Sequence, residues 1–282
     1  MIFYWIRLDT ENNNSLIQNC VKNGKWMYTD TDGVVLKQVK TLNNRKMILL
    51  FSKKFGKISA GSNVSERGKG KSSLALKPFT YGKYELFKNK DTYNINSTEV
   101  IKSYYKIGED IEKYMICSYI LEFTEKLLPM EQPSQSLFEL LIEFLEMISN
   151  RTKGFMFFAL AFQLKAIQLF GSAPVVENCA QCGCSTEKYL FSISDGGTIC
   201  ESCLMGLKKS SNFDESLIFE LNFGILDIIR YILNNPLFRL EKLGINDDNL
   251  KTFKEIINGY IIYHLDIRNL KSEGFLTDKE ID

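Results

Sequence analysis

Two cysteine pairs have the residue type and spacing to do chemistry. Cys179-Ala180-Gln181-Cys182 is followed, after 17 intervening residues, by Cys200-Glu201-Ser202-Cys203. This C-x2-C…C-x2-C spacing is that of a tetrahedral zinc site. A two-residue gap lets one tight turn aim two thiolates at a metal about 2.3 Å away, and a second turn supplies the other two. Four thiolates close the coordination sphere and leave no place for a reactive water, so such a site is structural rather than catalytic. Cys184, two residues past Cys182, can compete as a ligand, although C-x-C is the poorer geometry. The alternative is a pair of disulfides. Zinc is preferred because the rest of the chain reads as cytosolic, where thiols stay reduced. Cys20 and Cys117 are isolated and read as structural.

The second candidate is a set of cations. Arg67, Lys69 and Lys71 alternate with Gly68 and Gly70. Glycines let the backbone approach a phosphate chain, and the cations replace its condensed counterions. Arg45, Lys46, Lys53, Lys54 and Lys57 fall on nearby turns, and Lys37 and Lys88 complete the candidate DNA-binding set. Tyr81, Tyr84, Phe87 and Tyr93 offer stacking faces worth ~1–3 kcal/mol per base if used. Strand alternation turns about half of them inward, so the cations carry the expectation.

Other constellations read as bland. Ser65 to Ser72 ends in Gly-Lys-Ser like a P-loop, but Ser65 stands where the first glycine belongs. Pro78 also arrives too soon for the helix that a P-loop must open. His264 is the only histidine. It cannot build a histidine metal centre, and no Gly-x-Ser-x-Gly elbow exists to make a triad with Asp266. Glu139 and Glu143, at i and i+4, read as a solvated helix face.

The elements that must position these residues differ along the chain. A length of 282 residues predicts two domains, and 45% hydrophobic with 24% charged residues is ordinary for globular cores. No apolar run reaches the ~20 residues needed to span a bilayer. Met1 to Ile6 is short and lacks the flanks of a signal peptide, so a cytoplasmic, nucleoid-associated protein with no membrane role is expected. The net charge of +1 conceals an asymmetry. Residues 27–105 hold 15 Lys and Arg against 6 Asp and Glu, whereas residues 106–282 hold 17 against 26. A basic module joined to an acidic one points to a polyanion partner on the basic face.

Residues 1–26 show no period and are expected to be a loose extension, or Met27 is the original start; the alternative is an added strand from Ile2 to Leu8. Strands are expected at Gly33–Val39, Lys46–Phe51, Lys57–Ala60, Ala75–Phe87 and Thr92–Val100, the fourth bent at Pro78 and Gly82. A polar loop spans Gly61 to Ser73. Ser52 to Gly56 reads as a turn with glycine at the φ > 0 position. Five short strands with a long basic loop fit a small closed barrel, the OB type leading. From Ile107 the period becomes 3.6. One helix carries Ile111, Tyr114, Met115, Leu121 and Leu128. A second, capped by Ser134, buries Leu137, Leu140, Leu141, Phe144 and Leu145, and a third from Phe155 to Phe170 is apolar nearly all round. Tyr189 to Ile193 reads as a strand and Asp195-Gly196-Gly197 as a hairpin turn. Helix resumes at Glu215–Leu233 and at Asn249–Leu265. The fold class expected is α+β: 27–105 a basic OB domain, 106–282 an acidic helical domain with a zinc insert at about 175–210.

Several ordered pieces resemble the RecO family of bacterial recombination mediators. They are Gly33 to Lys37, Leu50 to Ala60, Leu76 to Gly82, Ala173-Pro174 leading into the cysteines, and Tyr263 to Ser272. The family's Gly-Ala-Arg after the third strand is here Gly61-Ser62-Asn63, which leaves the basic contacts to Arg67, Lys69 and Lys71. The resemblance implies binding of single- and double-stranded DNA and annealing of complementary strands. It also implies work with RecR and single-strand-binding protein, and a link to RecF and RecA loading, without enzymatic activity. A groove for the acidic tail of single-strand-binding protein would need cations at its rim, and Arg151, Lys153 and Lys165 are candidates. Two alternatives are a zinc-containing nuclease or deaminase, which needs an open metal site, and a zinc-ribbon interaction protein, against which the charge asymmetry argues.

Overall fold

The computed structural model describes residues 28–40, 46–62, 71–89, 92–185, 190–209, 211 and 213–274. At Lys40, Lys46, Lys71, Ser72 and Phe223 only the backbone is described. The expected loose extension, like the alternative strand from Ile2 to Leu8, therefore lies outside the described residues. The chain divides into two units: one up to Ser103 together with Met130–Pro133, the other Tyr104–Pro129 with the chain from Ser134 onward.

The first unit is a closed barrel of β1 (Thr29–Lys40), β2 (Lys46–Ser52), β3 (Gly56–Ser62), β4 (Thr80–Asn89) and β5 (Thr92–Ser103), in the order β1-β2-β3-β5-β4. Neighbours are antiparallel except β3 and β5, and a single helical turn, α1 (Lys71–Leu74), lies between β3 and β4. This is the connectivity of an OB fold. Alternation builds its core: Ile48 and Leu50, Ile58 and Ala60, Tyr84 and Leu86, Tyr93 and Ile95 point inward from successive strands. Two of the four candidate stacking rings, Tyr84 and Tyr93, are thus core residues. Phe87 packs edge-on to Tyr28, with centroids 5.7 Å apart, and the Tyr81 hydroxyl donates to Asp32 at 2.9 Å.

The strands depart from the sequence expectation where backbone pairing overrides side-chain pattern. β1 begins at Thr29, because Thr29–Val34 pairs with β4 before Gly33–Lys40 pairs with β2. One long strand therefore closes the barrel, and the register shift between Val35 and Lys37 gives it the twist to do so. The expected strand at Ala75–Phe87 starts only at Thr80. Pro78 has no N–H to offer a ladder, and Phe79 at φ +60° ends the turn before it. Gly82 does mark an irregularity, with the β4–β5 register shifting between Tyr81 and Gly82. β3 reaches Ser62, and α1 replaces the end of the expected polar loop.

Gly56 needs its lack of a side chain twice over. It closes the β2–β3 turn at φ +69°, and an added Cβ would lie 2.0 Å from the Gln132 carbonyl oxygen. The Met130–Pro133 segment runs beside this turn, with the Glu131 N–H donating to the Lys57 oxygen at 2.9 Å. Replacing Gly56 with Ala is expected to destabilise the protein by on the order of 2 kcal/mol, from the φ > 0 strain plus the backbone clash. Urea unfolding checks this, and an unchanged midpoint would remove the close approach from the account.

The second unit is built around α4 (Phe155–Leu169), which packs against α2 (Ile111–Leu127), α3 (Gln135–Asn150), α6 (Phe223–Asn234) and α7 (Asp247–Leu265). Between α4 and α6 lie β6 (Leu190–Ser192), β7 (Gly197–Ile199), α5 (Glu201–Leu207) and β8 (Ile218–Glu220). α4 is apolar on all faces because it is enclosed: Phe157, Phe158, Leu160, Phe162, Leu164 and Ile167 are all buried. The α3 stripe, Leu137 through Leu145, is buried as the period requires. α2 follows expectation at Leu121 and at its C-cap residue Leu128, which are buried, and departs from it in its first turn. Ile111 and Tyr114 are 64% and 48% exposed, while Ile116, Cys117, Ile120 and Phe123 are buried. The helix carries two overlapping apolar stripes, and α4 selects the second. Ser134 takes the N-cap position of α3 without a side-chain cap bond, whereas Asp110 caps α2 by accepting from the Glu112 and Lys113 N–H groups.

The expected helix at Glu215–Leu233 is broken. Ile218–Glu220 pairs with β6 as an edge strand, and Asn222 caps α6 by accepting from the Ile225 N–H. Ile218 and Phe219 are strand formers, and the open edge of β6 gives them a ladder to complete. Further on, the Glu122 carboxylate accepts from the Lys271 N–H at 3.0 Å and the Ser272 N–H at 2.8 Å, tying the segment after α7 to α2.

Candidate metal centre and nucleic-acid interface

The first cysteine loop folds back on itself. The Cys179 N–H donates to the Cys184 oxygen and the Gly183 N–H to the Cys179 oxygen, both at 2.8 Å. Gly183, at φ +73°, supplies the left-handed turn that makes this possible. The Ala180 N–H donates to the Thr198 oxygen at 2.7 Å, fixing the loop to β7. The second pair straddles the start of α5: Cys200 is its N-cap residue and Cys203 lies in its first turn. Buried Cys179, Leu190 and Ile199, with Leu204, Leu207 and Ile218 against them, form an apolar pad under the sulfurs.

The Sγ atoms of Cys179, Cys182, Cys184 and Cys200 all lie within 4.8 Å of one another. Cys182 and Cys200 are 3.7 Å apart. A tetrahedron of sulfurs at about 2.3 Å from a metal has edges of about 3.8 Å, so this pair fits one edge. Cys203 packs with Cys200 against the buried Cys179, Leu190 and Ile199 but stands outside this group of four sulfurs. Three of the four sequence-predicted ligands, Cys179, Cys182 and Cys200, therefore converge, and the fourth member of this group is Cys184, treated in the sequence as a competitor, rather than Cys203. Four cysteines this close together can hold a metal ion.

The backbone favours thiolate at the first cysteine of each pair. Burial raises the Cys179 thiol, but N–H groups of Cys182, Cys200 and Gln181 donate to its sulfur and bring it down to about 6. The Cys203 N–H does the same for Cys200, which is also lowered. The Cys184 and Cys203 thiols are raised, chiefly by hydrogen bonds with Cys182 and Cys200 respectively. Donors aimed at the charged form are what a thiolate ligand requires. His264 takes no part: its Nε2 lies 2.6 Å from the Ile193 oxygen and its ring packs on Tyr260 at 4.2 Å, which braces the β6–β7 turn.

Backbone register sorts the candidate cations. Lys46 pairs with Lys40 on one side and Ser62 on the other. The end of β1, the start of β2 and the end of β3, from which the β1–β2 loop and the long loop after β3 depart in sequence, therefore share one end of the barrel. Arg45, Arg67 and Lys69 lie in those loops, outside the described residues, and Lys71 opens α1. Lys40, missing from the predicted set, belongs to this end, and its place across from Lys46 in a β-hairpin was the available signal. Lys53, Lys54 and Lys57 lie at the opposite, β2–β3 end, beside Met130–Pro133. Lys37 is exposed midway along β1. Lys88 is committed elsewhere, 3.0 Å from the Glu131 carboxylate and 4.6 Å from the Tyr93 ring centroid.

In the helical unit a cavity of about 450 Å³ is lined by Glu143, Glu146, Met147, Asn150, Arg151, Thr152, Lys153, Phe238 and Glu241. Arg151 stacks over the Phe158 ring at 4.0 Å. Lys165 is not among the lining residues and donates to the Leu233 oxygen at 3.1 Å. Glu143 is not a simple solvated acid, since it accepts from the Phe238 N–H at 2.9 Å. Among the described residues, no helix is long and apolar enough to cross a membrane.

A five-stranded OB barrel followed by a helical unit with a cysteine cluster defines an α+β protein of the OB-fold class. Residues 27–104 match the family model Recombination protein O N terminal, and residues 108–274 match Recombination protein O C terminal. The chain belongs to the RecO family. It is 29% identical to the DNA repair protein RecO of Alkaliphilus metalliredigens, over 87% of this chain and 97% of that protein. It is 30% identical to the DNA repair protein RecO of Pelotomaculum thermopropionicum, over 87% of this chain and 92% of the relative. The Thermoanaerobacter protein of the same name is 29% identical over 88% and 96% respectively.

Proposed function

We propose that this chain is a DNA repair protein that binds single- and double-stranded DNA and anneals complementary strands. It would help load RecA onto DNA coated by single-strand-binding protein, working in the cytoplasm with RecR and RecF. The observation that carries this reading is the register that brings Lys40, Lys46 and Ser62 to one end of an OB barrel whose sequence holds 15 Lys and Arg against 6 Asp and Glu. Lys40, Arg45, Lys46, Arg67, Lys69 and Lys71 would displace counterions from the phosphates of two strands, lowering their mutual repulsion. Lys37, Lys53, Lys54, Lys57 and Lys88 lie farther from that end and would contribute less.

The metal would be zinc, held by thiolates among Cys179, Cys182, Cys200, Cys203 and Cys184. It supplies a crosslink between the first cysteine loop and α5, and the reading assigns it no catalysis. The acidic, phenylalanine-ended tail of single-strand-binding protein would dock at the cavity beside Arg151 and Lys153, with Phe238 an apolar contact for its ring. Lys165, bound to Leu233, would serve that docking by holding α6 to α4. The experiment is annealing of complementary oligonucleotides by the purified chain without nucleotide, with strand length and base composition checked afterwards. Annealed product with unchanged strands supports the reading; a cut strand or altered base refutes it.

A further inference from the structure

Four thiols, those of Cys179, Cys182, Cys184 and Cys200, are gathered and a fifth, Cys203, packs beside them, whereas a tetrahedral zinc takes four. Three of them, Cys179, Cys182 and Cys200, have fixed roles: Cys179 is buried on the apolar pad and accepts the Cys200 N–H at 3.4 Å, while Cys182 and Cys200 stand at the 3.7 Å spacing of a tetrahedral edge. The other two approach this trio from different elements. Cys203 comes from the first turn of α5, where it completes the C-x2-C pair with Cys200 and packs against the buried Cys179, Leu190 and Ile199. Cys184 comes from the folded-back loop, where the Cys179 N–H holds its carbonyl oxygen at 2.8 Å, and its sulfur lies within 4.8 Å of all three. At 3.2 Å from Cys182, the Cys184 sulfur is closer than two ligands of one tetrahedron stand, since that edge is about 3.8 Å. It is thus placed beside the coordination sphere.

We propose that Cys179, Cys182 and Cys200 are the permanent ligands and that Cys184 and Cys203 share the fourth position, either thiolate closing the sphere while the other is released. The proposal rests on the zinc reading above. Its consequence is a centre that can free one thiol without giving up its metal. The loop and α5 would be crosslinked when Cys203 is bound. With Cys184 bound, Cys200 alone would tie α5 to the metal.

The test uses the full chain loaded with zinc, treated with iodoacetamide under native conditions and mapped by peptide mass. Partial labelling divided between Cys184 and Cys203 is expected, with Cys179, Cys182 and Cys200 protected until a chelator is added. In parallel, zinc affinity is measured by chelator competition. Cys184→Ser and Cys203→Ser are each expected to weaken binding by about twofold to tenfold, and the double variant by about a thousandfold, because only the double variant leaves three thiolates. Complete labelling of Cys184 with full protection of Cys203, or a Cys203→Ser variant as weak as the double variant, overturns the sharing while leaving the zinc reading intact. A chain that takes up no zinc refutes the zinc reading and the proposal together.

Discussion

Replacing Arg67, Lys69 and Lys71 together with alanine is expected to weaken single-stranded DNA binding by about a hundredfold at 0.1 M salt. Each phosphate contact on a single strand contributes about 0.7 to the slope of log affinity against log salt, so three lost contacts flatten it by about 2. The loss should shrink as salt approaches 1 M, because the contribution removed is counterion release. The barrel itself should be unaffected, since its core is drawn from strand positions such as Ile48, Leu50, Ile58 and Tyr84 and not from this loop. A paired variant at the other end, Lys53 and Lys54 to alanine, is expected to change the slope much less, because the β2–β3 turn is separated by the length of β3 from the loop end. Titration of a fluorescent oligonucleotide at several salt concentrations measures both. An unchanged slope in the triple variant, or an equal loss in the turn variant, would remove the loop end from the interface.

The second large effect is expected at the thiols. Cys179→Ser takes away the one buried ligand and with it the acceptor of the Cys200 N–H. Apparent zinc binding in comparable structural sites is worth ~10–16 kcal/mol, and part of that holds the fold. A loss of several kcal/mol, at about 2–4 °C for each kcal/mol in a unit of this size, lowers the melting temperature of the helical unit by about 10 °C or more. Chelation of the unaltered protein should reproduce the shift. The salt slope of DNA binding should remain close to that of the unaltered chain, since the thiols belong to the helical unit and the cations to the barrel. Calorimetry together with the same titration checks this. A variant of normal melting temperature that no longer binds DNA would contradict a purely structural metal.

Much of this was legible in the residues because it rests on short-range rules. The two C-x2-C turns, the glycine of the Ser52–Gly56 turn and the alternation in β2 and β3 each depend on a few consecutive positions. So does the nearly all-round apolarity of α4, which no amphipathic surface helix would show. What the sequence left open depends on distant partners. Ile111 and Tyr114 fit an apolar stripe as well as Ile116 and Phe123 do, and only the position of α4 decides between them. Ile218 and Phe219 fit a helical period until the edge of β6 offers a ladder. Pro78 marked an interruption, but whether a strand bends or starts there depends on the pairing of Thr80 with Ser103. Cys184 was visible as a possible competitor. Its approach to the other thiols needed the return of the loop through Gly183, and that in turn depends on the Cys179 N–H finding the Cys184 carbonyl.

The most direct measurement is strand annealing on complementary oligonucleotides coated with single-strand-binding protein, comparing the unaltered chain with the Arg67, Lys69, Lys71 variant and supplying no nucleotide. The account predicts rapid annealing by the unaltered chain, suppressed as salt rises, and annealing at least tenfold slower by the variant, consistent with about two lost units of salt slope. Equal annealing by the two proteins, or none by either, would contradict it.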